Sequence, residues 1–220
     1  MRNLLLTLIA LWVCSPLFSQ TKKMEIKFSI GPSVAIIYPI IKNHYYPIAG
    51  YSAGAAFQYN FTKNMGVNIG IDFEEKGAHY TDNRFPPGLG TTRVFNLKYD
   101  YISIPINYIA FFGKKVQFFM EGGGYIAFLF ANNITKYDNS TNTVIKTSVI
   151  KYSQTIDAGI TMGLGLSIPI KKRLAITIAA KNKLGLVNTS KENILYDRPT
   201  KMNATSFLVG MNYKFGKAIK

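Results

Sequence analysis

Residues 154–170, QTIDAGITMGLGLSIPI, keep one apolar row without a break. Ile156, Ala158, Ile160, Met162, Leu164, Leu166, Ile168 and Ile170 fall on one side. Thr155, Asp157, Gly159, Thr161, Gly163, Gly165, Ser167 and Pro169 fall on the other. A period of two belongs to a β-strand. Soluble strands average ~5–6 residues. A tilted strand crossing a bilayer needs ~9–11, with one face in lipid and the other in a lumen.

Similar segments recur at 27–40, 51–61, 65–74, 97–112, 116–130, 174–187 and 204–215. With 154–170 they make eight. Connections after the second, fourth and sixth are tight, as at Thr62-Lys63-Asn64, Gly113-Lys114-Lys115 and Lys171-Lys172-Arg173; the others are longer. Even strand numbers with short turns at one rim are the pattern of bacterial outer-membrane barrels. The expectation is therefore all-β: an eight-stranded antiparallel up-and-down transmembrane β-barrel with short periplasmic turns and long extracellular loops.

A soluble lipocalin-like barrel also has eight strands, with its apolar face inward. The charges decide between the two. Asp72, Glu121, Asp157, Lys181 and Lys183 all lie opposite the apolar row, joined by Glu74 at a strand end. Their neighbours are mostly Gly, Ser, Thr and Asn. Glycines such as Gly163 and Gly165 serve no purpose on a soluble outer face, but a narrow eight-stranded lumen needs small residues. Aromatics gather near strand ends, at Tyr59, Phe61, Tyr108, Phe112, Phe128, Phe130, Tyr213 and Phe215, as in interfacial girdles.

Residues 1–19 read as a cleaved secretory signal and 20–220 as the barrel domain. Arg2 precedes an apolar core, Leu4 to Val13, which Ser15-Pro16 breaks before a cut at Ser19/Gln20. Trp12 and Val13 are too bulky for lipoprotein processing at Cys14. The mature chain then has no cysteine and no disulfide. The expected location is the outer membrane. The formal charge of +15 is dispersed, with no zinc spacing and no basic helix, so nucleic acid is not an expected partner. Outer-membrane lipids and lipopolysaccharide are, through headgroups at the rims.

Several phrases, taken in order, carry a resemblance. They are Asp72-Phe73-Glu74-Glu75-Lys76-Gly77, Tyr101-Ile102-Ser103-Ile104-Pro105-Ile106, Glu121-Gly122-Gly123-Gly124-Tyr125, Gly163-Leu164-Gly165, Leu184-Gly185-Leu186-Val187-Asn188 and Gly210-Met211-Asn212-Tyr213-Lys214-Phe215. Together they resemble the outer-membrane β-barrels labelled PorT family or porin family, over essentially the whole mature chain. The resemblance implies a small barrel in a Gram-negative outer membrane. The namesake is associated with protein secretion, which makes secretion or envelope-assembly proteins, met through the loops, expected partners.

The lumen charges Asp72, Glu121, Asp157, Lys181 and Lys183 form the candidate site. They fit a structural salt-bridge network that plugs the barrel, and they also fit a gate or ion path. His44 and His79 lie in or near loops; a lipid-modifying enzyme would use such a histidine, with Thr81 and Asp82 beside His79, but no serine is close in sequence. No catalytic residue is assigned. No metal or other cofactor is expected: the histidines lack ligand spacing, and Gly122-Gly123-Gly124 lies inside a strand, where it cannot cradle phosphate. Pro32 and Pro105 interrupt strands, so bulges are expected there. Glu75 falls in the lipid phase, which requires the rim to be reached by that point. Residues 81–96, with Arg84, Pro86-Pro87-Gly88 and Arg93, and residues 135–151 read as loops. The leading expectation is a structural or interaction protein, accessory to secretion or envelope assembly. A narrow channel for small solutes or ions is the first alternative, and the lipid-modifying enzyme the second.

Overall fold

The computed structural model describes residues 24–38, 45–82, 93–113, 116–138, 143–148, 153–188 and 200–216. The signal segment, His44 and the Pro86-Pro87-Gly88 stretch lie outside them. The strands are β1 (Met24–Tyr38), β2 (Tyr45–Tyr46), β3 (Ile48–Asn60), β4 (Met65–Asp82), β5 (Arg93–Phe112), β6 (Gln117–Asp138), β7 (Thr143–Ser148), β8 (Ile156–Lys171), β9 (Leu174–Gly185) and β10 (Lys201–Phe215). All pairs are antiparallel. Two seams close the ring, β10 against β1 and β4 against β5. The fold is the expected closed eight-stranded barrel, with β2 and β7 as additions outside the ring.

The register fixes the stagger. From Ile26, the pairs run through Phe57, Ile69, Ile106, Gly124, Ile160, Leu184 and Asn203, and return to β1 at Ile36. One circuit therefore climbs ten residues along β1. Stagger and strand number together set the tilt, here about 40°, and a bore just wide enough for side chains to fill.

The alternation sorts as the charges require. Along β8, Met162 and Leu164 face out while Asp157, Thr161 and Ser167 are buried. Ile30 and Ile71 are more than 60% exposed on the outer wall. In a barrel of this kind that wall is lipid-facing. Inward glycines make room. A Cβ on Gly54 would lie 2.1 Å from Asp72 Oδ1, and one on Gly163 would lie 2.9 Å from Glu121 Cγ.

Three strands run past their expected ends. β4 continues to Asp82, β5 begins at Arg93 and β6 reaches Asp138. Residues 143–148, read as loop, form β7 and pair with β6. β2 pairs with the far end of β4, at Tyr80 and His79. The result is a sheet of β2, β4, β5, β6 and β7 extending beyond the barrel on the long-loop side. Its inner face joins the buried cluster through Ala78 and Leu97, while its outer face carries Glu75 and Lys98, so its sequence lacks the lipid-facing apolar row that marks a membrane strand.

The expected bulges at Pro32 and Pro105 do not occur. Pro32 stays opposite Tyr51 on β3, while Gly31 and Pro32 drop their rungs to β10; pairing resumes at Ser33–Ser206 in the same register. Pro105 likewise keeps Tyr125 on β6, while Ile104 and Pro105 drop their rungs to β4 and pairing resumes at Ser103–Asp72 in the same register. A missing N–H removes a hydrogen bond without adding a residue. The register shifts lie elsewhere, between Asp100 and Tyr101 opposite β6 and between Pro169 and Lys171 at the β8–β9 turn.

Candidate functional site

The lumen is filled in layers. Nearest the tight turns, Glu25 takes Lys214 at 3.6 Å and a hydrogen bond from Asn60 Nδ2 at 3.0 Å. Ile109, Phe111 and Phe119 form a small buried cluster, and Lys27 Nζ lies 5.4 Å from the Phe119 ring centre.

The next layer joins Glu121 on β6 to Lys181 on β9, with Nζ–Oε1 at 3.0 Å. Asn68 Nδ2 donates to the other Glu121 oxygen at 2.9 Å. The two strands are not neighbours, since β8 runs between them. Gly163 on β8 leaves the space through which the pair meets. A cavity of about 50 Å³ here, lined by Lys27, Asn68, Glu121, Thr177 and Lys181 among others, has the size of a few water molecules.

Above it lies the densest layer. Lys183 Nζ is 2.8 Å from Asp72 Oδ2 and 3.0 Å from Glu74 Oε1, and donates to Ser103 Oγ at 2.6 Å. Lys76 Nζ is 3.2 Å from Asp157 Oδ2 and 3.7 Å from Glu74 Oε2. Tyr125 OH donates to Asp157 Oδ2 at 2.9 Å, and Lys76 sits 4.7 Å from the centre of the Tyr125 ring. Three carboxylates thus share two ammonium groups, while Lys181 and Lys27 add positive charge from the layer beneath. Charges buried at this depth persist only when paired and hydrogen-bonded.

An apolar layer completes the outer half. Ile37, Ala78, Leu97, Tyr99, Tyr101, Tyr125, Ala127, Leu129 and Met202 form one buried cluster. Tyr101 is 1% exposed, and Met202 and Lys76 are 0% exposed. Side chains occupy the bore from wall to wall at this level.

All five sequence-selected charges face this lumen, but they do not form one group. Glu121 and Lys181 make one pair; Asp72 and Lys183 belong to the layer above. Asp157 pairs with Lys76 rather than with a β9 lysine. Sequence reasoning passed over Lys76, Glu25, Lys27 and Lys214. Their signal was phase: Lys76 continues the row of Asp72 and Glu74, and would have shown itself had the strand been carried two residues further. Glu75 points outward and pairs with Lys98 at 2.6 Å. It sits just past Phe73, whose ring stacks on Tyr51 with centres 5.0 Å apart, where an outer aromatic girdle ends. His79 lies on the extension beyond the barrel, with Nδ1 against Asn96 and its ring edge-on to Tyr46. Among the described residues, no group of three His, Cys, Asp or Glu could hold a metal ion.

The family model described as "Outer membrane protein beta-barrel domain" matches residues 18–191. The chain belongs to this family. It is thus an outer-membrane β-barrel protein, and the filled bore is that of a small member. Solved structures with a similar fold include Neisserial surface protein A, at 12% identity and TM-score 0.47 over 87% of this chain and 97% of that one. Ail of Yersinia pestis, in complex with the heparin analogue sucrose octasulfate, is similar at 12% identity and TM-score 0.44, over 87% and 99% of the two chains. OprG from Pseudomonas aeruginosa is similar at 10% identity and TM-score 0.46, over 90% and 97%. At such identities nothing about ligand or partner follows. No curated protein matches the sequence.

Proposed function

We propose that this barrel carries no solute and works through its surfaces, as a structural or interaction protein of the outer membrane. The observation behind the reading is the filled lumen. Lys76 and Met202 are 0% exposed, and ion pairs tie β4 to β8 and β9 across the bore. A conducting path would require those pairs to part inside a low-dielectric interior, at a cost of several kcal/mol per unpaired charge. The sheet beyond the membrane supports the interaction half of the reading, because it offers partners a broad surface outside the bilayer.

The finer form is an accessory role in protein secretion or envelope assembly. It rests on the resemblance to the PorT family, an analogy of family rather than of residues. Photo-crosslinking in cells from Ile145 on β7, which is 52% exposed, tests it. The expected result is a discrete adduct with an envelope or secretion component. Crosslinks to lipid alone would sink the accessory role. Liposome swelling tests the closed lumen: proteoliposomes should shrink and recover in small sugars or amino acids no faster than empty vesicles.

A further inference from the structure

The formal charge of +15 is drawn from many short segments, and those segments differ between the two rims. The lumen adds nothing to it, since Glu25, Asp72, Glu74, Glu121 and Asp157 match Lys27, Lys76, Lys181, Lys183 and Lys214 one for one. Among the described residues, cations without acids stand at the end where the tight turns lie. Lys63 is exposed in the turn after β3, and Lys171, Lys172 and Arg173 are exposed around the turn between β8 and β9. None of these segments contains Asp or Glu. Among the described residues, the Asp or Glu nearest this end is Glu25, which points inward and is taken up by Lys214 and Asn60. At the other rim acids and bases are mixed, with Glu75 bound to Lys98.

We infer that this periplasmic rim is a binding surface for the phosphate headgroups of anionic phospholipid in the adjoining leaflet. The turns are too short to reach further. Only Lys172 and Arg173 stand beyond the last paired residues, Lys171 and Leu174. The outward aromatics Tyr59 and Phe61, with rings 5.5 Å apart, together with Phe112 and Phe118 at 6.4 Å, border the same rim. Rings of this kind sit at headgroup level. Lysine stems lie along such apolar surface and carry their ammonium groups to the headgroups. Exposed cations with no acid among them repel one another unless a counter-charge lies against them, and an anionic lipid surface supplies one. A free phosphate ion finds no convergent set of donors here, because the cations stand singly and exposed.

The test uses the full mature barrel in phosphatidylcholine vesicles with a minor share of phosphatidylglycerol, and reads the association of spin-labelled lipid with the protein. Phosphatidylglycerol should be enriched about threefold over phosphatidylcholine at low salt, and the preference should fade at high salt. Lys63→Gln, Lys171→Gln, Lys172→Gln and Arg173→Gln together should cut the enrichment by about half or more. The corresponding Lys63→Arg, Lys171→Arg and Lys172→Arg set should keep it. Neutralising the outer cations with Lys98→Gln and Lys201→Gln should leave it unchanged. Heat-modified gel mobility verifies that each variant is folded. Equal retention of both lipids by the native barrel overturns the inference. So does enrichment that survives the four-fold variant, or that vanishes in the outer pair and thereby moves the site to the lipopolysaccharide leaflet. Retention on purified peptidoglycan without lipid enrichment overturns it in favour of the cell wall. The inference holds whether or not the lumen conducts, so its failure leaves the closed-lumen reading untouched.

Discussion

Lys183 Nζ lies 2.8 Å from Asp72 Oδ2 although their strands, β9 and β4, stand on opposite walls of the barrel. The pair spans the whole bore and shares Glu74 with Lys76. Removing the ammonium leaves Asp72 and Glu74 buried side by side. Lys183→Met should lower stability by ~3–5 kcal/mol, the usual cost of stranding a buried charge. Pairing it with Asp72→Asn should cost less than the single change. Urea unfolding in vesicles, followed by gel mobility, measures both. Equal stability of native and Lys183→Met barrels would mean that the cross-lumen pairs do not hold the walls together.

Room for these pairs comes from glycine. Gly54 faces Asp72, and an added Cβ would fall 2.1 Å from its carboxylate oxygen. Gly54→Val should therefore displace Asp72 from Lys183 and cost ~1–3 kcal/mol by overpacking. Gly124, by contrast, faces outward, and a Cβ there would meet nothing closer than 3.5 Å. Gly124→Ala should change stability by less than ~0.5 kcal/mol. If the two substitutions prove equally mild, the bore at Gly54 has room for a side chain beside Asp72.

The outer wall makes a depth-dependent demand. Ile106 is 54% exposed on the lipid face, level with the glutamate layer inside. Ile106→Arg should cost ~2–4 kcal/mol of folding free energy in vesicles, whereas a change near the rim costs ~0–1. Glu75→Arg, at the outer girdle, serves as the rim comparison after allowance for its lost Lys98 partner. A cheap arginine at position 106 would place that face in water.

The amount legible in the sequence follows from what each feature depends on. The strands between the girdles were readable because each residue there meets either lipid or lumen, and β8 states that choice at every position. Beyond Glu74 the contrast fades. The continuation of β4 through Lys76 and Ala78 reads as a charged rim, although Lys76 is wholly buried. Partner choice was unreadable for a different reason. The inward charges read as one group without assigned pairs, and the ten-residue stagger with a narrow bore brings Lys76 of β4 to Asp157. Strand phase shows that a charge faces inward. Only the closed ring shows which charge it meets. The prolines mark a smaller limit: sequence showed the lost N–H, and only the register showed that the ladder skips two rungs there instead of bulging.

Planar-bilayer recording on the purified barrel, with insertion verified by protease protection, bears hardest on the closed lumen. The native protein should show no conductance steps at either polarity, and Lys181→Gln and Glu121→Gln should be equally silent, because the Tyr101–Met202 layer still seals the outer half. Reproducible steps whose size changes in those two variants would mean that ions pass along the polar layers and that the bore is a gated path.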